Sequence, residues 1–283
     1  DFASSLNSVQ VQRGVGTSTN GAAAFGASVN MQTEKFNPSA YAELGTSIGS
    51  FGTMKNVVKA GTGLINGFAV DARLSKLVSD GFIDRAYVDM KSYFASAGYY
   101  GENTMLKLVT FGGNQKTHQA WNGVDLDLVA SDPSKYSRSY NELGIYKAAD
   151  GSTKYFDQTD NYNQTHYQLH FVHSLNPKLN INAALHYTRG IGFYEDYKEG
   201  RKYKEYDLTP AVVEGVTLSK TDLVRQKWLD NHFAGAIFSA NYKLEKLALT
   251  FGGGGNKYFG DHYGFVKWIQ FPNKADVNHR YYF

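Results

Sequence analysis

Two stretches of this 283-residue chain hold residue types that could do chemistry. The first is RGVGTSTNGAAAFGASVNMQT, Arg13 to Thr33, with glycines at Gly14, Gly16, Gly21 and Gly26. A phosphate-cradling loop needs G-x-x-x-x-G followed by a Lys, to neutralise phosphates, and a hydroxyl, to bind magnesium. Gly16 and Gly21 have that spacing, but Ala22 and Ala23 follow. A dinucleotide fingerprint needs a third glycine at position 19 and a helix opening there. Thr19 occupies the position, and the text after it alternates like a strand, so neither template is met. The second stretch is HYQLHFVH, with His166, His170 and His173. Four residues of strand span about 13 Å, so His166 and His170 do not share an ion, and His173 has the opposite parity. His186 comes opposite His166 only if the intervening hairpin has the right register. That pair reads either as a ligand contact or as two polar wall residues. No Ser/His/Asp grouping exists within one segment, and Glu195 with Asp196 falls in an expected loop. No enzyme activity, metal site or cofactor is expected.

The elements that must position such residues are strands. Aromatics make up 15%, with 21 Tyr, 29 Gly and only 5 Pro, and the mean hydropathy is −0.42. A composition polar on average yet rich in aromatics is a β signature. No apolar run reaches the length of a transmembrane helix, but barrel strands expose an apolar residue only at every second position. Cysteine is absent, which removes disulfides and thiolate sites. With 29 basic against 26 acidic residues, mixed along the chain, nucleic acid is not an expected partner. The opening DFASSLNSVQ has neither a basic n-region nor an apolar h-region. It reads as the start of a processed chain or as the middle of a longer one.

Period two is clearest in LNINAALHYTR, where Leu179, Ile181, Ala183, Leu185 and Tyr187 share one parity against Asn180, Asn182, Ala184, His186 and Thr188. The same alternation runs through Phe68 to Leu74, Tyr93 to Tyr99, Tyr167 to Phe171 and Lys246 to Phe251. About nine strands of membrane-spanning length are expected, longer than the five or six residues usual in soluble proteins. Their connections alternate. LING (Leu64 to Gly67), YYGEN (Tyr99 to Asn103), SLNPK (Ser174 to Lys178) and KLEK (Lys243 to Lys246) are short. The links from Ser79 to Tyr87, Trp121 to about Asn161, Gly192 to about Gln226, and Lys257 onward are long. Turns at one end and loops at the other are the arrangement of an outer-membrane barrel. Interface girdles are expected from Tyr99, Tyr100 and Tyr242 at the turn end, and from Tyr162, Tyr187 and Tyr258 at the loop end.

VQVQRGVGTSTNGAAAFGASVNMQT, with its Arg-Gly pair, small-residue stretch and last strand GASVNMQT, resembles the end of the plug in TonB-dependent outer-membrane receptors. YAELGTSIGSFGTMKN, GTGLINGFAVDARLSKLVSDGFIDRA, SYFASAGYYG, QAWNGV, NYNQTHYQLHF, ALHYTRGIGFYEDYK and WLDNHFAGAIFSANY resemble the first barrel strands of its iron-complex branch. The resemblance implies an all-β fold: part of a transmembrane antiparallel β-barrel of 22 strands with a plugged lumen. Residues 1–38 would be the C-terminal part of the plug. Residues 39–283 would be the first nine to ten strands, the tenth starting near Arg280. A TonB-contacting segment would lie upstream and half the barrel downstream. A small closed barrel ending at Phe283 is the alternative.

The resemblance also implies active uptake of a scarce nutrient across a bacterial outer membrane, with the long loops outside. A ferric siderophore or other iron complex is the expected cargo, and haem, cobalamin or a glycan are the alternatives. A passive porin, a structural outer-membrane barrel or a soluble β protein are the readings from other classes. TonB, outer-membrane lipid and a surface lipoprotein are the implied partners. Arg13, with Gly14, Gly16, Gly21 and Gly26 packing closely beside it, would tether the plug to wall carboxylates. Ligand contacts are expected at His118, Trp121, Asn122, Tyr194 and Trp228, where strands meet long loops, and at His166 and His186 inside.

Overall fold

The computed structural model describes residues 5–15, 26–33, 36–148, 151–272 and 279–282. A separate hairpin comes first, β1 (Leu6–Arg13) with β2 (Ala27–Thr33). Then follow β3 (Tyr41–Ile48), β4 (Met54–Gly61), β5 (Phe68–Ser79), β6 (Val88–Tyr100) and β7 (Thr104–His118). The next connection carries α1 (Leu126–Ser131), β8 (Ile145–Lys147) and β9 (Thr153–Tyr155). After β10 (Thr159–Asn176) and β11 (Leu179–Lys202) come a 3-10 turn at Tyr203–Tyr206 and the pair β12 (Val212–Val213) and β13 (Val216–Thr217). The chain closes with β14 (Lys220–Lys243), β15 (Ala248–Ile269) and β16 (His279–Tyr282).

Ten of these strands form one antiparallel sheet in the order β16-β15-β14-β11-β10-β7-β6-β5-β4-β3. Each strand pairs with the next main strand in the chain, so the sheet is an up-and-down meander, bounded by β3 and β16 among the described residues. Its short connections are 62–67, 101–103, 177–178 and 244–247, all at one end. In the first, Asn66 and Gly67 both take positive φ, 50° and 85°, which matches the twist of the flanking strands and is why Asn-Gly serves there. The other end carries 49–53, 80–87, 119–158, 203–219 and 270–278.

The sequence placed loops across Gly192 to Gln226 and from Lys257 onward, and the structure corrects both. β11 runs on to Lys202, β14 begins at Lys220, and β15 continues to Ile269. Beyond the apolar segment these strands lose clean alternation, because the ends of β14 and β15 there pack under the 203–219 connection. Backbone pairing continues regardless.

One face of the sheet is apolar and uncovered, whereas the other is polar and half-buried. In β5, Leu74 is 64% exposed while its neighbour Arg73 is 2% exposed. The register extends this pattern sideways. Phe68, Tyr99, Leu106 and Phe171 form one row of direct partners, and Val70, Ala97, Leu108, Leu169 and Leu185 another. An apolar face this wide, left open by a protein that has polar residues to spare, needs hydrocarbon against it. The polar face carries Asp71, Arg73, Ser96, His166 and His186, and in a closed barrel it is the lumen side. Tyr99, Tyr187 and Tyr242 lie on the apolar face as a girdle requires. Tyr100, Tyr162 and Tyr258 have the opposite parity and point into the polar side. Tyr100 packs at a tilt against Phe36 at 4.3 Å, Tyr162 lies over Gly190, and Tyr258 donates to Asn231 Oδ1 at 2.7 Å.

The hairpin belongs to the polar side. Ser5, just ahead of β1, is buried in a cleft with Tyr41, Asp71, Arg73, Phe94 and Ser96. Gly14 takes φ +84°, and its N–H donates to Gly26 O at 2.8 Å, closing the β1–β2 ladder.

Candidate functional site

At the long-loop end, β10, β11, β14 and β15 rise past the apolar rows and two connections fold over them. The 203–219 connection lays Tyr203, Tyr206, Leu208 and Ala211 on Leu223, Val266, Ile269 and Tyr281. This small core fixes Tyr206 and Tyr281 edge to face at 5.0 Å. Arg225 sits beside them on the polar face. Its Nε and Nη2 donate to the two Asp196 oxygens at 2.8 and 3.2 Å, and Nη1 donates to the Tyr206 hydroxyl at 3.0 Å. Burial opposes the guanidinium charge, but the two-pronged Asp196 contact outweighs it and lifts the Arg225 pKa above its ordinary value. Burial also pushes the Tyr281 phenol up, so it stays protonated. Lys198 reaches the same carboxylate at 3.0 Å, which leaves two cations around one anion.

Tyr194 and Asp196 share a face of β11, opposite Lys227 and Arg225 of β14. Trp121, at the start of the 119–158 connection, is exposed and meets Tyr194 edge-on at 5.3 Å. The site is therefore a rim of the exposed Trp121 and the half-buried Tyr194 beside a held guanidinium, with the buried Tyr206 and Tyr281 supporting it. Such a surface can stack flat conjugated groups and attract anions.

The other residues singled out in the sequence lie elsewhere. His118 ends β7 and is buried, with Nδ1 3.0 Å from Gln119 O and Nε2 3.7 Å from Asp157. Burial lowers its pKa. It anchors the base of the 119–158 connection, whose middle is pinned by Arg85 Nη2 donating to Asn141 O at 2.7 Å and Leu143 O at 3.0 Å. Asn122 is exposed. Trp228 is on the opposite face from Tyr194, packed with Phe193 at 4.6 Å and stacked on Tyr263 at 6.0 Å. The register sets His166 opposite Thr188 and His186 opposite Gln168, two residues out of step. His166 stacks on Phe111 at 4.4 Å and its Nδ1 lies 2.9 Å from Thr188 Oγ1. His186 packs against Phe233 at 4.9 Å. Arg13 ends β1 with an exposed side chain and no carboxylate partner among the described residues. Gly26 has open space where a Cβ would stand, and Gly16 and Gly21 lie outside the described residues.

Arg225, Tyr206 and Tyr281 escaped the sequence reading because the first two fell in the supposed Gly192 to Gln226 loop. The retrievable signal was parity: Tyr194 and Asp196 continue the polar parity of His186 and Thr188 along one strand.

Among solved structures, the chain is similar to the ferric-catecholate import receptor Fiu of E. coli K12 in its open form, with a TM-score of 0.60 at 13% identity over 97% of this chain and 42% of that one. The copper transporter OprC gives 0.64 at 14% over 98% and 36%. FpvA of P. aeruginosa with a heterologous pyoverdine and iron gives 0.62 at 13% over 96% and 34%. The chain thus spans less than half the length of these structures. No protein-family model matches it, and no curated protein does. The fold defines the class: an antiparallel transmembrane β-barrel sheet. More particularly, it is the barrel fold of TonB-dependent outer-membrane receptors.

Proposed function

We propose that this chain is part of a TonB-dependent transporter that imports a scarce nutrient across a bacterial outer membrane, with a ferric siderophore or related iron complex as cargo. The observation that carries this is the ten-stranded meander, whose exposed apolar face, sorted connections and polar-side hairpin belong together only in a plugged barrel. In lipid, the free edges of β3 and β16 would leave backbone groups unsatisfied at several kcal/mol each, so the sheet is read as a portion of a larger closed barrel. Residues 1–38 are then plug, with Arg13, Gly14, Gly16, Gly21 and Gly26 meeting parts of the wall outside the described residues, and 39–283 supply barrel strands.

The cargo assignment rests on the rim. Iron complexes of this kind carry conjugated, often anionic groups, and Trp121, Tyr194 and Arg225 offer stacking and charge together. Cargo bound there would loosen the plug, and TonB pulling on an upstream segment would open the path. Haem, cobalamin or a glycan handed over by a surface lipoprotein would use the same rim. A deletion strain that grows undiminished on the candidate iron source under iron limitation would remove the iron assignment.

A further inference from the structure

The apolar face ends abruptly toward the long-loop side. Val58, Leu74 and Tyr93 form one row of direct cross-strand partners that runs on to Gly112 and Thr165. The next row is Asn56, Lys76, Lys91, Asn114 and Asn163, five polar side chains in register across β4, β5, β6, β7 and β10. A groove of about 520 Å³ straddles the two rows. Its apolar wall is Val58, Leu74 and Tyr93, and its polar wall includes Lys76 and Lys91. Gly112, next to Tyr93 in the same row, adds no side chain beside the groove, and a Cβ there would run into Gln164 O.

Lys76 and Lys91 are direct partners. Like charges placed opposite each other in a sheet are destabilising unless something compensates them. Asp89 compensates one, lying 3.0 Å from Lys76 Nζ. Among the described residues no carboxylate pairs with Lys91, so a second positive charge is left over at the level where hydrocarbon gives way to headgroups. Lysines at that level attract anionic headgroups.

We propose that this groove is a seat for one phosphate-bearing acyl lipid of the outer leaflet, with its phosphate between Lys76 and Lys91 and an acyl chain along Leu74 and Tyr93 past Gly112. Charge complementarity and the apolar-to-polar step within a single groove identify the occupant. The inference rests on the membrane reading above.

The test is native mass spectrometry of the full receptor released from detergent micelles, with diphosphoryl lipid A as probe. The expected result is one retained lipid, with at least a tenfold loss of occupancy in the Lys76→Gln/Lys91→Gln double variant and recovery in Lys76→Arg/Lys91→Arg. A phosphate-free glycolipid with the same acyl chains should be retained no better than by the double variant, and millimolar inorganic phosphate should not displace lipid A. Equal retention by wild type and double variant, or equal retention of the phosphate-free lipid, would overturn the proposal. Displacement by inorganic phosphate would also overturn it, in favour of a free-anion site. Outer-membrane fractionation of the same samples separates the two readings. Receptor in the outer membrane without selective lipid refutes only the seat, whereas receptor absent from that fraction refutes the membrane reading as well.

Discussion

Arg225 holds the rim by contacts that a substitution removes one at a time. Hydrogen bonds to charged groups contribute about 1.5–3 kcal/mol, and Arg225 makes two to Asp196 and one to Tyr206. Arg225→Met should weaken cargo binding by tenfold or more, measured by titration against the ferric complex, and Arg225→Lys should recover only part because it cannot span both oxygens. Trp121→Ala and Tyr194→Ala should each raise the dissociation constant several-fold without changing stability, because both rings lie at the edge of the rim. His118 provides the pH dependence. Its folded pKa lies below the unfolded value near 6.5, chiefly through burial. The unfolded chain therefore binds the extra proton first, so the stabilisation is complete above about pH 6.5 and is lost as the pH falls toward the folded pKa. Hydrogen exchange of the 119–158 connection should accelerate between neutral and mildly acid pH, and His118→Gln should flatten that response. Trp121 and Tyr194 were legible as aromatics at strand-loop junctions. Which face Trp228 takes was not, since that depends on a register no local pattern fixes.

The strands themselves test the two-face assignment. Leu108 lies in the middle of the row from Val70 to Leu185, and Gln168, on the adjacent strand β10 and one residue from Leu108's partner Leu169, lies on the polar face. Leu108→Arg should destabilise the folded barrel by about 2–4 kcal/mol, the cost of a cation at mid-membrane on the lipid side. Gln168→Arg should cost far less. Urea unfolding in lipid vesicles measures both, and equal effects would remove the assignment. Strand identity was readable because period two survives wherever one face meets lipid and the other meets water. Strand length was not, because β11, β14 and β15 continue as a paired ladder beyond the membrane, where side-chain alternation is no longer imposed. The 3-10 turn at Tyr203–Tyr206 left no sequence sign, since the contacts that fix it come from Leu223, Val266 and Tyr281 far along the chain.

At the scale of the molecule, the proposed function puts the β1–β2 hairpin, the polar face and the aromatic rim along one route from outside to inside. Ser5, just ahead of the hairpin, is buried in a cleft beside Arg73 and so ties that end of the chain to the polar face. The rim stands at the far end of the same face. On the proposed function, import through that route would require movement of the plug driven by TonB, and that requirement would distinguish the protein from a passive pore. The direct measurement is accumulation of radioactive iron from a ferric siderophore by iron-starved cells expressing the full receptor, with and without TonB. The account predicts uptake that disappears when either the receptor or TonB is deleted and is reduced by Arg225→Met. Uptake that persists without TonB, or that is indifferent to loss of the receptor, would contradict it.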